Sequence, residues 1–135
     1  MGYTRYWDRT DKPLTESFCR DVIKIIRKSA KKGIAIRGWD GTGEPEINVN
    51  CIALNGNENS TKDLSHESFV LDNKKDEDAF NFCKTARKPY DYTVREILKC
   101  AEKHGIVTNV SSDGTNDKIY SDEEYNLGLV DWSHD

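Results

Sequence analysis

No apolar run in the 135-residue chain is long enough to span a bilayer, and the start MGYTRYWDRT lacks the hydrophobic segment of a secretion signal. A cytoplasmic location is therefore expected, with no membrane partner. Positive charge is not in excess either. At a formal net charge of -4 the chain is no general coater of DNA or RNA, because sequence-independent affinity comes from cations that neutralise phosphates. Any phosphate site must be local. There is no G-x-S-x-G, no H-E-x-x-H and no Walker loop, and GWDGTG has neither the glycine spacing nor the βαβ setting of a dinucleotide fingerprint. The cysteines Cys19, Cys51, Cys83 and Cys100 are widely spaced, with no C-x-x-C, and no histidine is read as their partner in a zinc site. They read as separate reduced core residues, a four-cysteine site drawn from distant elements being the alternative. His66, His104 and His134 do not cluster, and His104 reads as a cation near a helix C-terminus, beside Lys103 and before Gly105. No metal and no cofactor are expected. Repeats, low-complexity tracts and linkers are absent, so residues 1–135 form one domain.

Recognition chemistry concentrates in FNFCKTARKPYDY, Phe80 to Tyr92. Arg87 can fork onto a phosphate, Lys84 and Lys88 supply point charges, and Phe82 and Tyr90 offer ring faces for a base. The competing reading makes the aromatics core and the cations solvated surface. Pro89 suits the first turn of a helix, which puts Arg87 and Lys88 just before a helix N-terminus whose free donors favour an anion.

Along the chain, residues 1–12 show no clear period and read as an arm that docks its aromatics. Phe18, Val22, Ile25 and Ile26 have helical spacing, with Thr15 as cap and Gly33 at the end. The polar face of that helix is basic, and Arg27 is a candidate to reach a phosphate in a neighbouring pocket or a second subunit. Ile34 to Arg37 and Glu46 to Leu54 read as a hairpin around a Gly-rich turn, with Trp39 and Asp40 at its mouth either to stack on a base and accept from ribose or simply to form a capped turn. Ser68 to Asp72 is a third strand. A short helix through Phe80 and Cys83, a longer one through Val94, Ile97, Leu98 and Ala101, and a strand from Ile106 to Ser111 follow. That strand delivers Ser112, Asp113 and Gly114 into a turn of the kind that carries function. The acidic segment from about 116 to 135 reads as a short helix or docking arm, and its charge opposes the basic segment from Arg20 to Arg37, within one subunit or between two. The fold class is α+β, a small antiparallel sheet with helices packed to one side. Surplus aromatics and split charge imply a homo-oligomer built from dimers.

Stacking and charge complementarity suffice for a binder, so a non-catalytic ligand-binding protein is favoured over an enzyme. An acid-base set of His66, Glu67 and Asp113 with Arg87 and Lys84 is the enzymatic alternative, a small phosphoesterase or nuclease. A protein inhibitor of a host enzyme is the third class. HESFVLD, then FNFCKTARKPYD followed by a helix, then VSSDG, resemble a family of small phage- and prophage-encoded proteins from about Gly38 to Gly114. The family is identified as the Thoeris anti-defence proteins of the first type. The resemblance implies an oligomeric sponge that sequesters the cyclic ADP-ribose signals of TIR-domain enzymes without cleaving them, and in some members cyclic oligonucleotides.

Overall fold

Residues 4–9, expected as an arm, run instead as the middle strand of a sheet. The computed structural model describes residues 3–73, 81–114 and 119–128. Within it β1 (Thr4–Arg9) lies between β5 (Phe82–Lys84) and β6 (Val107–Ser112), antiparallel to both. A strand alternates its side chains between two faces. Here the inward set is Arg5, Trp7 and Arg9, all buried, while Tyr6 is half-buried and Asp8 exposed. Two of the three inward residues are cationic, which hides the alternation from a hydrophobicity reading.

The second sheet orders β2 (Glu46–Asn48), β3 (Cys51–Leu54) and β4 (Phe69–Asp72), again antiparallel. The expected single strand from Glu46 to Leu54 breaks because the Asn48 carboxamide oxygen accepts the amides of Asn50 and Cys51 and closes a tight turn. Ile34 to Arg37 contributes only a bridge between Arg37 and Asn55. Thus the single expected sheet is two small ones. Trp7 of β1 and Phe69 of β4 join them, with ring centroids 5.4 Å apart.

Helix α1 (Glu16–Lys31) starts where the Thr15 hydroxyl accepts the Phe18 amide at 3.1 Å and ends before Gly33, whose φ of 79° suits only glycine without strain. It packs on α2 (Asp91–Lys103), whose Val94, Ile97, Leu98 and Ala101 are buried. A fully buried polar contact crosses this interface, between the hydroxyls of Ser29 and Thr93 at 2.7 Å. The short α3 (Asp122–Asn126) begins with a capping box of Ser121 and Glu124. It docks at the end of α1: the Asp122 carboxylate accepts the Ala35 amide at 2.9 Å, and the Asp122 amide donates to the Gly33 carbonyl. The acidic and basic segments therefore meet within one chain, through backbone groups. The expected helix through Phe80 and Cys83 is replaced by β5, Phe80 itself lying outside the described residues.

Arg9 ties the two sheets together. Its guanidinium donates to the carbonyls of Thr10, Lys12 and Ile106 and to those of Asp72 and Asn73 at the end of β4, at 2.7 to 3.1 Å. Burial lowers its pKa, opposed by the nearby Asp72 carboxylate. Arg9→Leu keeps the bulk and removes every donor, leaving carbonyls unsatisfied at about 1–3 kcal/mol for each that stays dry. Urea denaturation of this variant should show a loss of at least about 3 kcal/mol, and a loss under about 1 kcal/mol would mean that the carbonyls find water instead.

Candidate functional site

The segment between β5 and α2 is fixed by an ion pair below it. Arg5 reaches up from β1 and forks onto Asp91, Nε to Oδ1 at 2.7 Å and Nη2 to Oδ2 at 2.8 Å, and the Thr85 hydroxyl donates to the same Oδ1. Asp91 is the first residue of α2. The expectation that Pro89 opens the helix is thus corrected: Tyr90 is the cap residue, and the Asp91 and Tyr92 amides donate to the carbonyls of Lys88 and Pro89. With its own carboxylate and these bonds in place, this helix end does not meet an anion beside Arg87.

Between Thr85 and Lys88 the chain makes a two-residue turn closed by Lys88 N to Thr85 O at 3.1 Å. Ala86 and Arg87 both have positive φ, 54° and 56°. This is the backbone of a type I′ turn, normally given to Asn-Gly or Gly-Gly. Each side chain in that conformation costs about 1 kcal/mol, and such strain concentrates at functional positions. The turn throws Arg87 over the ring of Tyr3, with the guanidinium carbon 4.0 Å from the ring centroid. Gly114 makes room for it: a Cβ there would lie 2.5 Å from Arg87 Nη2 and 3.0 Å from the Tyr3 ring.

The same sheet end gathers four more of the expected residues. The Ser112 hydroxyl donates to the Gly114 carbonyl at 2.8 Å, and Asp113 accepts the Thr4 amide at 3.0 Å and the Tyr6 hydroxyl at 2.7 Å. That bond to Asp113 raises the pKa of the exposed Tyr6 phenol. Phe82 stands opposite Tyr6 and Lys84 opposite Thr4, so Phe82, Tyr6, Lys84 and Asp113 share the outer face. Phe82 and Lys84 are exposed, with the ammonium 5.9 Å from the Phe82 ring centroid. The face thus offers an open ring, cations at its edge, and hydroxyl and carboxylate groups beside them. These are the parts needed to hold a planar ring bearing a phosphate and sugar hydroxyls.

Other expected residues lie elsewhere. Tyr90 is buried, and its hydroxyl donates to the Glu67 carbonyl at 2.7 Å, so the ring braces the site from within. The Lys88 ammonium donates to the carbonyls of Asp63 and Ser65, and its partial burial lowers its pKa. It pins the 63–65 loop. Trp39 is 64% exposed, the most open of the described rings, and its carbonyl is held by Asn55 and by the Ser68 hydroxyl. Asp40 is committed to its own turn, accepting the amide and hydroxyl of Thr42. Arg27 is exposed on α1, which packs on α2 and β2 rather than on β5. In the acid-base alternative, the Glu67 carboxylate accepts the Lys84 amide at 3.1 Å while Asp113 holds Thr4, so both carboxylates brace strands. His66 is exposed. The four cysteines are free thiols, and burial pushes Cys83 up to about 12.

Sequence reasoning missed Tyr3 and Tyr6. Tyr6 belongs to the outward set of β1, concealed by the inward arginines, whereas Tyr3 precedes the strand and is buried on the Arg5 side. No family model, no curated protein and no solved structure matches the chain.

Two outcomes follow from the turn and its neighbour. Ala86→Gly should raise stability by about 0.5–1 kcal/mol in a denaturant titration, since glycine adopts this φ without the steric cost. Gly114→Ala should displace the Arg87 guanidinium from Tyr3, visible as a shift of the Arg87 side-chain NMR resonance. An unchanged resonance means that the guanidinium does not rest there.

Proposed function

We propose that the chain is a non-catalytic sponge that holds a cyclic ADP-ribose-type nucleotide at the end of the β5-β1-β6 sheet, around the turn at Ala86 and Arg87. The supporting observation is the gathering of Phe82, Lys84, Arg87, Ser112 and Asp113 around one end of that sheet, beside Tyr3 and Tyr6. Phe82 stacks on the base, Arg87 and Lys84 meet phosphate oxygens, and Ser112 and Asp113 take ribose hydroxyls. The resemblance of the 38–114 stretch to Thoeris anti-defence proteins supports the same class of ligand. Trp39, exposed on a separate loop, serves as an added stacking ring or as part of the contact between subunits. A symmetric dimer is the repeating unit of the oligomer, with Trp39 and the 67% exposed Leu127 among the apolar groups available to it.

The decisive experiment incubates the protein with a cyclic ADP-ribose signal, removes the free ligand and then heats the protein. Intact release supports the sponge, a cleaved product supports the phosphoesterase reading, and no depletion favours a protein inhibitor. Chelator should leave binding unchanged, because side chains rather than an ion meet the phosphate charge. A magnesium requirement would move the assignment to an enzyme.

Arg87 gives the residue-level test. Arg87→Ala should lower affinity about ten- to a hundredfold, the equivalent of a charge-assisted contact of about 1.5–3 kcal/mol. Because the side chain also lies on Tyr3, a modest fall in melting temperature accompanies it. Arg87→Lys restores part of the affinity through charge and loses the planar fork. Calorimetric titration against each variant reads the effect, and unchanged affinity in both removes this turn from the site. Sedimentation at tens of micromolar, the order at which modest interfaces form, should report a dimer or larger.

A further inference from the structure

We propose that the groove between α1 and α2, on the far end of α2 from the sheet site, is a zinc-type metal site whose ligands are Asp21, Cys100 and His104. Cys100 and His104 are four residues apart at the end of α2, a spacing that puts both on one face, a turn apart. Asp21 comes from the facing side of α1. His104 Nε2 lies 2.9 Å from Asp21 Oδ2, and Cys100 Sγ lies 3.8 Å from the same oxygen. One donor atom from each of the three falls within 4.8 Å of the others. A tetrahedral ion with bonds of about 2.0–2.3 Å sets its ligand atoms roughly 3.3–3.7 Å apart, so side-chain rotation alone brings this set to metal distance.

An ion pair at a helix end accounts for His104 and Asp21. It leaves unexplained why a half-buried thiol converges on the same carboxylate oxygen. The three residues line an open groove of about 460 Å³, shared with Ile25, Glu96 and Lys99, so an ion can enter and a water can complete the coordination. Glu96 sits one turn before Cys100 and is held by Arg95 and Lys99 at 3.2 and 3.7 Å. It adds negative potential without being a required ligand. The Phe18 ring lies edge-on to His104, centroids 5.4 Å apart, and limits the rotation of the imidazole. Sulfur, imidazole nitrogen and one carboxylate oxygen form a donor set for zinc or cobalt, not for magnesium or calcium. Binding exchanges the Cys100 thiol proton for the metal and releases that proton to solvent. It also clips α1 to α2 across their open end.

The test titrates Co²⁺ into the full chain, reduced and metal-stripped, and records the thiolate-to-cobalt charge-transfer band with the visible bands of a four-coordinate ion. One Co²⁺ per chain, displaced by Zn²⁺, is expected. Cys100→Ser should abolish the charge-transfer band, His104→Ala and Asp21→Asn should weaken binding at least tenfold, and Cys51→Ser should change nothing. Absence of a saturable band in the unmodified chain, or a band that survives Cys100→Ser, overturns the proposal. Should a variant fail to fold, alkylation of the unmodified chain decides: Zn²⁺ should slow iodoacetamide at Cys100 and not at Cys51. Equal rates with and without Zn²⁺ at Cys100 count against the site.

Discussion

The buried fork of Arg5 on Asp91 sets the position of nearly everything near the sheet site. Taking two charges out of water is costly, and the pair holds because both guanidinium bonds are short and Thr85 supplies a third bond to the carboxylate. Removing one partner would leave the other charge buried, a cost of about 3–5 kcal/mol, so neither strand nor helix can move alone. Asp91 is thereby locked over β1, and the chain has only the residues from Thr85 to Tyr90 in which to turn from β5 into α2. The strained turn at Ala86 and Arg87 is the consequence. It places the Arg87 guanidinium on Tyr3, where the sheet, the turn and the SSDG corner meet.

Helices α1 and α2 and the strands at Phe69–Asp72 and Val107–Ser112 were legible because their apolar spacing, caps and glycine stops agree. The middle strand was not. Its inward residues are Arg5, Trp7 and Arg9, and an arginine turned into a core looks like surface until its carbonyls and carboxylate are located. β5 was hidden for a related reason: Phe82 and Lys84 point outward and only Cys83 points in, a three-residue strand too short to show a period. Tyr90 and Lys88 were misplaced because a ring or an ammonium in a basic stretch reads as ligand chemistry. Only coordinates reveal that the Glu67, Asp63 and Ser65 carbonyls already take their donors.

The groove between the helices shows the opposite failure. Cys100 and His104 stand at helical spacing in plain view, yet the third group comes from Asp21, far away in sequence, and a search for paired short spacings passes over it. Local spacing supplies two ligands, and helix packing has to supply the rest. The polar Ser29–Thr93 contact fixes how α1 lies against α2 and so brings Asp21 to the end of the neighbouring helix.

For the proposed anionic nucleotide, the chain's net negative charge means repulsion at long range. The overall charge can be screened within about 8–10 Å at physiological salt, so a compact set of cations at one sheet end decides capture once the ligand is close. The two nearby carboxylates bear on what happens next. Glu67 and Asp113 each accept a backbone amide, from Lys84 and Thr4 respectively, so both are engaged in bracing strands. In the proposed function, a face with an open ring, cations and carboxylates engaged in this way retains a nucleotide by contact alone. Holding without cleaving, as proposed, accords with how the strands are braced, because both carboxylates already hold backbone amides.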